Sequence, residues 1–134
     1  NKEAQDKNFG NIFDEKIESQ IITYFNDNLD FLDNLCILGA DALMSYNYSA
    51  ILSFVKKFKS IFPNINIILW TGFTYDVVVK SRNEILQYID VLCDGQFEQD
   101  KYKKGLKYVG STNQNIINVK ESLRQNKIVL LIEQ

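Results

Sequence analysis

The stretch "INIILWTGFTYD", residues 65–76, runs from a nearly unbroken apolar segment into Thr71 and Gly72. A short apolar run bounded by turn residues reads as a strand buried on both faces. Two other segments repeat the pattern. "LCIL" (35–38) runs into Gly39, Ala40 and Asp41, and "IDVLCDG" (89–95) ends on Asp94 and Gly95. Between these strands lie helical spacings. From Asp14, apolar residues recur at Ile17, Ile21, Tyr24 and Phe25, with Asp14, Glu15 and Glu18 in the first turns, where carboxylates favour the helix dipole. A second helix is predicted over 46–62, with Ile51, Phe54, Val55, Phe58 and Ile61 on its inner face and Lys56, Lys57 and Lys59 on a solvated one. Pro63 and Asn64 end it. A weaker helix is predicted over 77–88.

Residues 1–11 read as a polar loop, and 96–114 as a long polar loop carrying aromatic residues. The end reads as a short extended piece, a turn near Gln125 and Asn126, and a final strand. Alternation of helix and strand predicts an α/β domain with a parallel sheet and right-handed crossovers. Such sheets bind ligands beyond the carboxyl ends of their strands. That rule singles out three loops together: Gly39–Asp41, Thr71–Gly72 and Asp94–Gly95. Gly and Asp are also ordinary turn residues, so each loop alone is weak.

Composition narrows the chemistry. The chain has 134 residues, enough for one core, and its 46% hydrophobic content with nine Phe and seven Tyr marks a globular domain. With 15 basic and 17 acidic residues the net charge is −2, which gives no reason to expect nucleic acid or an anionic membrane as partner. The longest apolar runs, such as "IVLLI" at 128–132, are too short to span a bilayer. No charged-then-apolar leader opens the chain, and the expected compartment is the cytoplasm. There is no histidine, which removes the usual triads, common zinc sites and the commonest general base. Cys36 and Cys93, each inside an apolar run, match no metal-ligand spacing and read as buried reduced thiols. Trp70 reads as core ahead of ligand stacking, and Lys101, Lys103 and Lys104 as a solvated loop ahead of a partner contact.

Three motifs then stand in order: "LWTGF" (69–73), "IDVLCDGQF" (89–97) and "GSTNQNIINVKESL" (110–123). In spacing and content they resemble the small activating proteins of anaerobic ribonucleoside-triphosphate reductase, which are radical S-adenosylmethionine (SAM) enzymes. The resemblance runs to about Leu123. It implies a partial (β/α) barrel of the radical SAM type, forming a single domain over 1–134, with a 4Fe–4S cluster and SAM as cofactors. It further implies that one electron from the cluster cleaves SAM, and that the radical so formed takes hydrogen from a glycine of the large subunit of the reductase. Such chemistry belongs to the cofactor and needs no histidine. By the same resemblance Gly39, Ala40 and Asp41 face the methionine end of SAM. Thr71 and Gly72 line that pocket, and Asp94 approaches it from the third strand. Gly95, Phe97, Gly110, Ser111, Asn113 and Gln114 would meet the partner at the mouth that admits its glycine loop.

The sequence departs from the family pattern in two places. Cluster-binding members carry C-x3-C-x2-C-H-N near the start, and no such motif occurs here. Asn1 stands where the last residue of that motif falls, so the cysteine loop and an N-terminal strand are expected to be missing from this chain. With three or four strands left, one sheet edge would be open, inviting a homodimer. The opening loop "GADAL" keeps Gly39, Asp41 and Leu43, but Ala40 and Ala42 replace a glycine and a proline, and Gln96 replaces another proline. Were the second loop position to need positive φ, alanine there would cost about 1–2 kcal/mol. Two readings follow: an activating enzyme, or a cluster-less homologue acting as a docking module. An α/β domain with an unrelated ligand is the third.

Overall fold

The computed structural model describes residues 13–134, and its first helix begins where the sequence supplies a cap. The reading of 1–11 as a loop, and of Asn1, lies outside the described residues. Helix α1 spans Glu15–Asp27, and the Asp14 carboxylate accepts the Ile17 N–H at 3.0 Å. That bond satisfies one of the free donors of the first turn. Strand β1 (Asn34–Ile37), helix α2 (Ser45–Ile61), strand β2 (Asn66–Trp70), helix α3 (Tyr75–Ser81) and strand β3 (Val91–Asp94) follow. The weaker helix expected over 77–88 is thus two pieces, α3 and a 3-10 turn at Asn83–Gln87. Strands β4 (Asn115–Asn118) and β5 (Leu130–Ile132) flank helix α4 (Val119–Gln125).

The sheet has five strands in the order β1-β2-β3-β4-β5. Pairs β1–β2 and β2–β3 are parallel, whereas β3–β4 and β4–β5 are antiparallel. The expectation of a parallel sheet with three or four strands is corrected to a mixed sheet of five. The reason lies in the connection. A parallel return needs a crossover, usually helical. Between β3 and β4 the chain forms only a 3-10 turn at Gln99–Lys101 and stays at the carboxyl edge, so it enters β4 from that edge. The expected turn near Gln125 and Asn126 is present at Asn126, and helix α4, which the sequence reading did not include, leads into it. Asn118 caps the helix by accepting the Glu121 N–H at 3.1 Å, and Asn126, left-handed at φ 53°, closes it.

Period-two alternation sorts the strand residues to two faces. Ile67, Leu69, Leu92 and Ile117 are fully buried under the helices, where Phe25, Phe54, Phe58 and Phe62 stack with adjacent centroids about 5–6 Å apart. Ile68, Cys93 and Ile116 form a smaller core on the other face, packed by Trp70, Val91 and Val109. Three details differ from the sequence expectation. Cys36 is exposed because β1 is an edge strand whose second face carries little cover. Tyr24 and Ile61, expected on inner faces, are exposed, the apolar stripes being narrower than their periodicity. Lys59 is mostly buried rather than solvated. Its ammonium lies 2.7 Å from the Asp90 carboxylate and donates to the Ile65 carbonyl, while Asp90 also accepts the Ile67 N–H at 2.8 Å. No helix among the described residues is long and apolar enough to cross a membrane.

Phe58 joins α1, α2 and the sheet with no exposed surface. Phe58→Ala is expected to lower unfolding stability by about 3–5 kcal/mol. Urea denaturation checks it through a lower midpoint at unchanged slope.

Candidate functional site

Because β1, β2 and β3 run parallel, their carboxyl ends deliver 38–43, 71–74 and 95–97 to one edge. Antiparallel β4 brings the residues before Asn115 to the same edge, since Asn115 pairs with Asp94. The sheet topology therefore gathers all the motif loops in one place.

The first loop is built on Gly39 and Asp41. Gly39 has φ 110°, open to glycine at little cost, and Asp41 sits at φ 52°, a region that Asp tolerates better than most residues. Ala40 is not among the residues with positive φ, so alanine there carries no left-handed penalty. The Asp41 carboxylate accepts the Leu43 N–H at 3.0 Å, the Thr71 hydroxyl at 2.9 and 3.1 Å, and the Gly72 N–H at 2.8 Å. These bonds draw the first loop onto the second. Hydrogen bonds to a charged acceptor contribute roughly 1.5–3 kcal/mol each. Arg82, from the end of α3, holds the loop from behind. Its guanidinium donates to the Leu43 carbonyl and lies 4.6 Å over the Phe73 ring.

Asp94 is 3% exposed, and both its oxygens are taken. They accept the Tyr75 N–H at 2.8 Å and the Asn115 N–H at 3.0 Å, tying β3 to the start of α3 and to β4. Gln114 does the same for the last loop. Its carbonyl oxygen accepts from the Gly110 and Ser111 N–H groups and the Ser111 hydroxyl, each at 3.1 Å, while its amide donates to the Gly95 carbonyl at 2.9 Å. Asn113 donates to the Gln96 carbonyl at 2.8 Å. A Cβ at Gly110 would stand 3.1 Å from the Phe97 ring, so a larger residue there needs that half-exposed ring to shift by a few tenths of an ångström.

Between the loops lies a cleft of about 730 Å³, within the range of small-molecule sites. Gly39, Ala40, Asp41, Thr71 and Gly72 form its floor, and Gly95, Phe97 and Gln114 reach its far wall. Asp94, Gly110, Ser111 and Asn113 are not on its surface; they brace the loops that are. Asp94 and Asn113 instead border a neighbouring cleft of about 490 Å³. Met44, Tyr46, Trp70 and Gln96 complete the lining. Met44 and Tyr46 escaped the sequence reading as site residues, whereas that reading sets Trp70 in the core and takes Gln96 only as a departure from the family pattern. Trp70, expected in the core, is only half-buried: as the last residue of β2, its ring reaches past the sheet edge, and its indole N–H donates to the Tyr108 carbonyl at 2.7 Å. Its place directly before Thr71 and Gly72 was the available signal. Among the described residues no lysine or arginine lines the cleft, and Asp41 has no ion-pair partner. The cleft thus offers one carboxylate, hydrogen-bonded but without a cationic partner, beside aromatic walls, which favours a cationic ligand with a flat apolar part.

Residues 1–117 match the family described as a 4Fe-4S single cluster domain, which sets the class. The chain is 41% identical over 106 residues to the anaerobic ribonucleoside-triphosphate reductase-activating protein of Pasteurella multocida, covering 78% of this chain and 67% of that protein. The protein of the same name from Haemophilus influenzae is 37% identical over 107 residues, with 80% and 69% covered. That from Escherichia coli K12 is 32% identical over 114 residues, with 85% and 74% covered. The chain belongs to the family of anaerobic ribonucleoside-triphosphate reductase-activating proteins. No solved structure matches it significantly.

The cluster named in the family description does not fit the residues of this sequence. It has two cysteines and no histidine. Among the described residues no group of three His, Cys, Asp or Glu is placed to hold a metal. Cys36 and Cys93 lie on different strands, and burial pushes the Cys93 thiol up to about 12, so it is protonated at neutral pH. We expect iodoacetamide at pH 8 to alkylate Cys36 and leave Cys93 unmodified until the protein is unfolded. Mass spectrometry with and without urea checks this.

Proposed function

We propose that the chain binds SAM in the cleft between the β1, β2 and β3 loops and docks on the large subunit of an anaerobic ribonucleoside-triphosphate reductase. The observation carrying this reading is the cleft itself, floored by the unpaired Asp41 carboxylate and walled by Trp70 and Phe97, in a member of the activating-protein family. SAM is a sulfonium cation joined to an adenine, so it matches both parts of that lining. Gly39, Ala40 and Asp41 would hold its methionine end, and Thr71 and Gly72 the adjoining wall. Hydrogen abstraction by way of SAM would also require one electron from a cluster, which the residues of this sequence do not hold, so the reading for this chain is limited to binding. The chain's own residues orient it and exclude water. We further infer that β1–β3 with α2 and α3 are the parallel part of a radical SAM-type partial barrel within a single domain. A cytoplasmic setting goes with that role.

The second reading, a cluster-less docking module, is supported by the two changes in the first loop, Ala40 and Ala42 in place of a glycine and a proline. Calorimetry separates the two. SAM is expected to bind several-fold more tightly than S-adenosylhomocysteine, which lacks the sulfonium charge, and Asp41→Asn to erase the difference. Trp70→Ala is expected to weaken SAM by about tenfold. Equal affinities for the two compounds, or binding of neither, would sink the SAM reading and leave docking alone.

Among the described strands β1 pairs only with β2, so its outer edge is open. An open edge supports pairing of two copies. Size-exclusion chromatography should show concentration-dependent dimerisation that Cys36→Pro, which breaks the edge, reduces. A monomer at all concentrations would refute it.

A further inference from the structure

Residues 97–109 form a loop whose backbone is fixed while its large side chains stay in solvent. Tyr102 bridges to Ser111, the Lys103 N–H donates to the Gly110 carbonyl, and the Thr112 N–H to the Lys101 carbonyl at 2.9 Å. The Gln134 side chain holds Lys107 twice, accepting its N–H at 2.7 Å and donating to its carbonyl at 3.1 Å. The Trp70 indole holds the Tyr108 carbonyl. Tyr108 itself stands at φ 64°, which costs an aromatic residue about 1–2 kcal/mol. Strain of this kind persists where the surroundings over-determine it, often at binding surfaces.

On this fixed backbone Phe97, Tyr102 and Tyr108 are each more than half exposed. Phe97 and Tyr102 meet edge to face at 6.5 Å. Lys101, Lys103, Lys104 and Lys107 stand among them, with Asp100 the one carboxylate between Gln99 and Tyr108. Lys101 is paired with Glu98, while Lys103, Lys104 and Lys107 have no ion-pair partner among the described residues. In a chain of net charge −2, this is a local concentration of unpaired positive charge beside exposed rings. Aromatic residues anchor protein interfaces, unpaired rim charges steer the partner, and a pre-formed loop loses little entropy on binding.

We propose that loop 97–109 docks an acidic segment of the partner protein, one carrying carboxylates on both sides of an apolar residue. The proposal rests on the docking half of the reading above. A nucleic acid is a poorer match, because the loop has no arginine and too few cations to track a phosphate backbone.

The test compares wild type with the triple variant Lys103→Glu, Lys104→Glu, Lys107→Glu on immobilised cognate anaerobic reductase. Lys103→Ala with Lys104→Ala serves as a milder second variant, and circular dichroism verifies folding. The expected result is affinity reduced roughly tenfold or more in the triple variant, mainly through slower association, with the difference shrinking at high salt. Reductase bound equally by all three proteins would overturn the loop assignment and leave docking intact. If wild type does not bind the reductase, the docking reading itself fails. The loop is then judged separately by NMR titration with an acetylated Glu-Glu-Phe-Glu-Glu peptide. Amide shifts confined to 97–109 support the acidic-segment surface, and their absence overturns it. Stronger shifts of the same residues with single-stranded oligothymidylate, or with phosphatidylserine vesicles, would overturn the protein-partner assignment.

Discussion

The carboxylate of Asp41 decides whether the sheet's carboxyl edge is one site or several separate loops. It lies one loop away from β2, yet it collects the Thr71 hydroxyl and the Gly72 N–H while bracing its own turn through Leu43. The same device recurs. Asp94 ties β3 to α3 and β4, and Asp90, at the opposite end of β3, ties it to β2 and α2. Three aspartates thus act as acceptors for backbone N–H groups that loops and strand ends would otherwise leave unpaired. What distinguishes Asp41 is that it does this at the surface of a cleft. Its charge is therefore felt by whatever occupies that cleft, whereas Asp94, 3% exposed, borders only the smaller neighbouring one.

Much of this was legible in the sequence. Continuous apolar runs gave β1, β2 and β3, and the small residues after each gave the edge on which the cleft lies. The pattern could not show that β4 runs antiparallel, because strand direction is set by the connection, and 96–114 has no periodicity to read. Helix α4, at seven residues, is too short for a helical stripe. Its signals were local: Asn118 three residues before Glu121, and Asn126 where a left-handed cap is needed. Residue-level roles were least legible. Asp41 and Asp94 look alike in sequence, each closely following a strand, and only the donors around them separate a cleft floor from a buried brace.

The departures from the family pattern also become clearer in three dimensions. The left-handed turns of the first loop fall to Gly39 and Asp41, which the chain keeps, and Ala40 sits between them in an ordinary conformation. Gln96 packs over Gly72, where its side chain lies 3.1 Å from the position a Cβ would take, so the residue has become part of the cleft wall. The loops can therefore hold their shape although the cluster cannot be held by this sequence.

Trp70 touches both halves of the molecule's outer edge. Its ring lines the cleft, and its indole N–H fixes the carbonyl of Tyr108. An occupant of the cleft that restrained the ring would act on the loop at that residue, and two binding events there would share one free-energy term. Linkage makes that term reciprocal: the factor by which a small molecule tightens a protein contact equals the factor by which the contact tightens the small molecule. Replacing Trp70 by Phe keeps an aromatic wall but removes the N–H. If this bond carries the coupling, the factor measured in either direction falls towards one; an unchanged factor would show that the coupling runs elsewhere.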